Sequence, residues 1–176
     1  MPSKKEISRK ELLDLLEVVD KEFDRPIDIT AVGGTAMTLL YLKSSTIDVD
    51  FDFRSDDDRK RFEKVLKGIP HGFRIDRFCG GFIFFQQLPA DYFEKSISIP
   101  HRFRSIRLYA LHPLDIVVSK IGRLDERDVE DIESCIKEYK LEKSQVKKRA
   151  KSVRYAGHEE NYGINLQYVL RMLNKP

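Results

Sequence analysis

Asp48 and Asp50 stand two apart in the stretch Ile47 to Phe53, IDVDFDF. Read as a strand, its period of two sends both carboxylates to one face. There they repel each other unless a cation or a base compensates them. Such a pair suits a hard divalent cation, because Mg²⁺ usually takes one or two carboxylates and completes its shell with substrate phosphates. Upstream, Gly33-Gly34-Thr35 falls where a strand passes into a helix. A glycine pair at that junction lets the backbone approach a phosphate closely, and the N–H groups that open the helix lack partners. Downstream, Asp76 interrupts the apolar run Phe73 to Phe78, FRIDRF. It could complete a two-metal arrangement or take the proton of an attacking hydroxyl. Each piece has a plainer reading, the glycines as an ordinary turn and the acids as a solvated face. Their order, strand to Gly-Gly-Thr to helix to Asp-x-Asp strand to a later acid, favours metal-assisted nucleotide chemistry.

The elements that must position these residues are legible from periodicity. Ser8 and Glu11 form a capping-box pattern before a helix running to about Asp24, and Pro26 stops it. Ile27 to Val32 reads as a short buried strand, Thr35 to Leu42 as a helix, and Ile47 to Phe53 as a strand with one acidic face. Ser55 caps a helix over 56–69. Phe73 to Phe78 and Phe82 to Gln87 read as two strands broken at Cys79-Gly80-Gly81, followed by a short helical turn and an extended stretch from Arg104 to Leu111. The remainder is helical: Pro113 to Gly122, Asp125 to Tyr139, Glu142 to Arg154 and Glu159 to Leu173. The pattern predicts an α+β fold, with a core over residues 1–111 and a helical part over 112–176 packed on it.

The stretch AVGGTAMTLLYLKSSTIDVDFDF resembles the Gly-Gly/Ser to Asp-x-Asp signature of the minimal nucleotidyltransferases in the DNA polymerase β superfamily, and within it the group around the AbiEii-type toxins. In that group a helix bearing Lys and an Arg/Lys-Asp-x-x-Asp element follow. LHPLDIVVSKIGRLDERDVEDI offers Lys120, Arg123, Arg127, Asp128 and Asp131 in the corresponding order. The resemblance implies a nucleotidyltransferase-like mixed sheet flanked by helices, an NTP as substrate, Mg²⁺ or Mn²⁺ as cofactor, and transfer of a nucleoside monophosphate to an acceptor hydroxyl. It implies that Asp48, Asp50 and Asp76 bind metal and carry catalysis with Lys120. It further implies that Gly33, Gly34, Thr35, Thr46, Lys120 and Arg123 hold the nucleotide, and that Arg127, Asp128 and Asp131 support them. Without the resemblance, Lys120 reads as a lysine snorkelling from an apolar helix, and the acids from Asp125 to Asp131 as a helix start with an internal ion pair.

Composition bounds the rest. The chain has 176 residues, 41% hydrophobic and 35% charged, enough apolar content for a folded core. No apolar run is long enough to cross a membrane and the first residues are too charged for a signal peptide, so a cytoplasmic protein is expected. Cys79 and Cys135 have no metal-ligand spacing and read as buried thiols. Net charge is only +3, but Lys137 to Arg154 carries eight basic residues (Lys137, Lys140, Lys143, Lys147, Lys148, Arg149, Lys151, Arg154) against two acids. With Arg102, Arg104 and Arg107, that segment could steer an RNA acceptor. A protein or small-molecule acceptor is equally open, and an antitoxin partner follows from the resemblance alone. The competing class is a degenerate nucleotidyltransferase fold that binds nucleotide, nucleic acid or a partner without turnover.

Overall fold

The computed structural model describes residues 5–174. In chain order the elements are β1 (Ile7–Ser8), α1 (Arg9–Asp20), β2 (Ile27–Ala31), α2 (Gly33–Leu39), β3 (Ser45–Thr46), β4 (Val49–Phe53), α3 (Asp56–Lys67) and β5 (Ile75–Cys79). They continue with β6 (Phe82–Ile83), β7 (Gln86–Gln87), α4 (Tyr92–Lys95), β8 (Ile97–Ser98), β9 (Ile106–Ala110) and α5 (Pro113–Lys120). The last are α6 (Glu126–Tyr139), α7 (Lys143–Lys151), β10 (Arg154–Tyr155) and α8 (Glu159–Met172). This is the expected α+β arrangement of mixed strands and flanking helices. The chain divides into two compact units, 1–80 with 96–111 and 81–95 with 112–176, so the segment 81–95 belongs with the C-terminal helices.

In the first unit the strand order is β8-β9-β2-β4-β5. β9 runs parallel to β2 and β5 parallel to β4, while β4 is antiparallel to β2. Alternation along β4 sends Val49, Phe51 and Phe53 to one face, where the rings of Phe51 and Phe53 meet Phe62 of α3 at centroid separations of 5.8 and 5.1 Å. Helix α1 starts at a complete capping box, with Ser8 and Glu11 each satisfying the other's backbone N–H. At its other end Asp20, which the sequence reading passes over, joins α1 to β9. Its carboxylate accepts from the backbone N–H of Arg104, Ser105 and Ile106 at 2.6, 2.7 and 2.8 Å. The Arg104 guanidinium donates to the Lys21 and Phe23 carbonyls, both at 2.7 Å, and Arg107 pairs with Asp28 on the neighbouring strand. Two of the three arginines expected to steer RNA therefore have structural partners.

In the second unit β6, β7 and β10 form antiparallel pairs, and α5, α6, α7 and α8 supply the core. Asp115 is buried on α5 and receives a two-pronged guanidinium from Arg149 of α7, Nε to Oδ1 at 2.6 Å and a terminal nitrogen to Oδ2 at 2.8 Å. Removing one partner from such a buried pair costs about 3–5 kcal/mol, because the other charge is left uncompensated. Arg149 is thus a packing residue and not part of the basic surface to which the sequence assigned it. Two elements and the burial of one thiol differ from expectation. Arg154, the expected last residue of a helix, instead begins an edge strand with Tyr155, the two pairing with Gln87 and Gln86. Phe82 to Gln87 is a tight hairpin, β6 and β7 joined through Phe84-Phe85, and not one strand. Cys79 is only half-buried, whereas Cys135 is fully enclosed and burial pushes its thiol up to about 12.

Burial by itself raises the Asp20 pKa, but three backbone hydrogen bonds and the Arg104 charge outweigh it, leaving the carboxyl below its ordinary value. A group depressed in the folded state contributes stability above its unfolded pKa of about 3.9 and loses it as pH falls through the folded value. Urea unfolding across that acid range should therefore show wild type losing stability below about pH 4. Asp20→Asn should be weaker at neutral pH by about 1–3 kcal/mol and flatter in acid. Parallel acid limbs in the two proteins would remove Asp20 from this role.

Candidate functional site

The first unit gathers the acids. Asp50 and Asp76 are register partners in the parallel β4–β5 ladder, and partnered residues project to the same side of neighbouring strands about 4.8 Å apart. Asp52 follows on the same face of β4. The face is not solvated: Asp50 is 7% exposed and Asp52 1%. That burial removes the solvated-face reading for these two residues. Asp76 is more accessible, and its Oδ1 lies 3.5 Å from Nε of Arg74. Asp48 stands half-buried at a bend just before β4, since the regular strand begins at Val49 and not at Ile47.

Two hydroxyls fix that bend. Thr35 Oγ1 accepts from the Asp50 N–H at 2.9 Å and donates to the Asp48 carbonyl at 3.2 Å. Thr46 Oγ1 donates to the same carbonyl at 2.8 Å. The Val32 N–H, at the end of β2, donates to the Asp50 carbonyl at 3.1 Å. The Gly-Gly-Thr segment and the Asp-x-Asp segment are thus bonded together, and the two glycines have separate reasons. Gly33 has φ 55°, a left-handed backbone that β-carbons disfavour. Gly34 lies against Thr46, where an added Cβ would come within 2.8 Å of Oγ1. Thr35 and Thr46, expected to hold nucleotide, clamp the backbone that carries the carboxylates. A small residue facing a hydroxyl on a distant strand leaves no local pattern, so spacing could not have found this clamp.

The other expected residues lie in the second unit and assemble with one another. Lys120 is buried on α5, with Nζ 3.3 Å from Asp128 Oδ1 and 2.9 Å from Asp131 Oδ2. Arg123 binds Asp128 with two nitrogens, both at 2.8 Å. Asp128 also closes a capping box with Asp125 at the start of α6. Burial raises the Asp128 pKa, but the Arg123 hydrogen bond and the Lys120 charge hold it below the ordinary carboxylate range. Arg127, expected to pair with these acids, is exposed; Arg123 has that position. Lys120 is therefore a held ammonium between two carboxylates and not a snorkelling side chain. Three histidines outside these groups have structural partners: His101 pairs with Glu17 at 2.7 Å, His112 caps α5, and His71 accepts from the Phe73 N–H.

Among the described residues no group of three or more His, Cys, Asp or Glu is arranged to hold a metal ion. Asp50 and Asp76 are the two carboxylates that the register places side by side, and Mg²⁺ needs only one or two carboxylates when substrate phosphates complete its shell. No helix among the described residues is long and apolar enough to cross a membrane.

The mixed sheet and its helices define a nucleotidyltransferase-like fold. The crystal structure of an antigenic nucleotidyltransferase-like protein from Paracoccidioides brasiliensis is similar over 96% of this chain and 91% of that one, with a TM-score of 0.55 and 15% sequence identity. The chain belongs to the family described as Nucleotidyltransferase of unknown function (DUF6036), whose model matches residues 10–171. No curated protein matches the chain.

Gly34→Ala should destabilise the first unit by about 1–3 kcal/mol, the usual cost of forcing atoms into a filled space. Adding Thr46→Ala removes the obstructing hydroxyl and should restore part of that loss, a coupling readable in a double-mutant cycle by urea unfolding. Strict additivity of the two substitutions would contradict the close approach.

Proposed function

We propose that this protein is a metal-dependent nucleotidyltransferase that moves a nucleoside monophosphate from an NTP to an acceptor hydroxyl and releases pyrophosphate. The observation that carries this reading is the register partnership of Asp50 and Asp76 beside the Gly33-Gly34 turn. Asp50 and Asp76 would hold Mg²⁺ or Mn²⁺, with Asp48 at the entry to the same strand as the adjoining carboxylate. A cation held there supplies charge compensation for the triphosphate and for the attacking and leaving oxygens. The protein's own groups do the rest. The left-handed backbone at Gly33 leaves the main chain open to close approach by phosphate. Asp50, largely withdrawn from water, exerts a stronger field than an exposed acid would. Asp76, the more accessible of the two, accepts the proton of the incoming hydroxyl. Lys120 and Arg123 enter the proposal as phosphate-neutralising cations on the strength of their order in the sequence. A toxin-like role with an antitoxin partner, as in the AbiEii-type group, extends this reading and rests on the same sequence signature.

A second reading has its own support. Among the described residues no three metal-ligating groups converge, and the Thr35 and Thr46 hydroxyls are committed to the Asp48 carbonyl. A fold that binds nucleotide without turnover would have those features. Pyrophosphate release separates the two. With Mg²⁺ or Mn²⁺ and a mixture of NTPs, wild type should release pyrophosphate when supplied with an acceptor pool of RNA, proteins and small metabolites. Asp50→Asn and Asp76→Asn should each lose about a hundredfold or more in rate while melting as folded proteins. Undiminished release in both variants would sink the assignment, and no release by wild type would favour the binding fold.

A further inference from the structure

Arg74 stands immediately before β5 as Asp48 stands immediately before β4, and because the two strands run parallel both residues lie at the same end of the pair. The ladder extends to Arg74, since the Val49 N–H donates to its carbonyl at 3.1 Å. From there its guanidinium turns onto Asp76, with Nε 3.5 Å from Oδ1. In the sheet β4 lies between β2 and β5. Gly33-Gly34 follows β2 and is tied to β4 through the hydrogen bonds of Val32 and Thr35 with Asp50. The Asp50 and Asp76 carboxylates therefore have the glycine turn on the β2 side and a cation on the β5 side.

The Arg74–Asp76 pair does little for the fold. Its side chains are 68% and 37% exposed, and the approach of Nε is longer than a normal hydrogen bond. Exposed pairs of that kind add little stability. Arginines that hold this molecule together bind differently: Arg123 and Arg149 each grip a buried carboxylate with two nitrogens at 2.8 Å or closer. The terminal nitrogens of Arg74 make no hydrogen bond with any described residue. The part of the guanidinium that suits a phosphate is thus uncommitted. Lys120 and Arg123, by contrast, already answer Asp128 and Asp131 in the second unit.

We propose that Arg74 is a substrate-binding residue: it neutralises Asp76 until a divalent cation takes the carboxylate pair, and then passes to the phosphates of the nucleotide. The inference rests on the carboxylate reading above and names the group that exchanges partners within it. Two acids side by side on neighbouring strands repel each other, and a guanidinium against one of them relieves that repulsion. With a divalent cation between the acids the guanidinium is no longer needed there and is pushed away by like charge. The triphosphate supplies the compensating anion, and an arginine fork matches its oxygens. Arg74 thus opposes the bare metal ion and favours the nucleotide, which gives it opposite effects on two measurable affinities. An arginine serving only the fold would move both in one direction or neither.

The test is a pair of titrations of the whole chain. Mn²⁺ binding is read from the loss of the free-ion EPR signal, and binding of the four α,β-methylene NTPs at saturating Mn²⁺ from calorimetry. Arg74→Gln should bind Mn²⁺ about three- to tenfold more tightly than wild type, because one positive charge has left the neighbourhood of the ion. The same variant should bind the preferred analogue about ten- to a hundredfold more weakly. Arg74→Lys keeps the charge without the fork, so its Mn²⁺ affinity should stay near wild type and its analogue affinity should fall between the two. Neither variant should melt more than about 3 °C below wild type, since the pair is exposed; a larger drop would make Arg74 part of the fold and count against the inference. Unchanged or weaker Mn²⁺ binding by Arg74→Gln, or unchanged analogue binding, overturns the inference and leaves the carboxylate site standing if Asp50→Asn/Asp76→Asn loses both ligands. Absence of Mn²⁺ binding in wild type, or binding that the double variant keeps, would contradict the carboxylate reading itself and the inference with it.

Discussion

A parallel strand pair delivers side chains to its two faces in partnered rows, so the register of β4 against β5 decides whether two acids become neighbours or strangers. Here Val49 meets Ile75 and Asp50 meets Asp76. A slip by one residue would put Asp50 and Asp76 on opposite faces and expose the apolar row that packs on Phe62. The hydrophobic face therefore holds the acidic face in place. Phe51 and Phe53 cannot move without breaking their contact with α3, and while they stay the two carboxylates remain side by side.

The clamp at the strand entry performs a similar service for the backbone. Asp48 and Asp50 belong to a segment that changes from bend to strand between them, and such a change is soft unless something fixes it. Thr35 bonds to both residues and Thr46 to one, and Gly34 provides the space that lets Thr46 approach. Polar side chains are used this way throughout the molecule. Asp20 gathers three amides at the start of β9, Arg149 neutralises Asp115, and Asp128 joins Lys120, Arg123 and the cap of α6. Buried charges of this kind are costly unless fully paired, so each cluster binds its elements together more specifically than apolar contact alone would.

Local chemistry was readable in the sequence, and contacts between distant residues were not. The Ser8–Glu11 capping box and the Gly-Gly junction announce themselves within a few residues and form where expected, and of the alternating acids Asp50 and Asp52 lie on β4 while Asp48 falls at the bend before it. The sequence paired Asp48 with Asp50 and took Asp76 as a third acid, whereas the strand register sets Asp76 beside Asp50. What failed depended on distant partners. Arg149 looked like one more cation in a basic run, because nothing near it reveals Asp115, 34 positions away. Arg154 closed the expected helix in the sequence, whereas β7 offers it an edge to pair with. The Phe84-Phe85 turn was invisible because turn chemistry predicts Gly or Asn at such positions, and this chain departs from that preference. The depth of Asp50 and Asp52 was missed for the same reason, since alternation gives the face and not what covers it.

The central claim is that Asp50 and Asp76 form a cation-assisted nucleotide site, and binding tests it more directly than turnover does. Thermal melting with a non-hydrolysable NTP analogue should be run with and without Mg²⁺, on wild type and on the Asp50→Asn/Asp76→Asn double variant. At saturating ligand the account predicts a rise of about 5–10 °C only when analogue and Mg²⁺ are present together, and no rise in the variant. A shift that ignores Mg²⁺, or one that survives loss of both carboxylates, would contradict it.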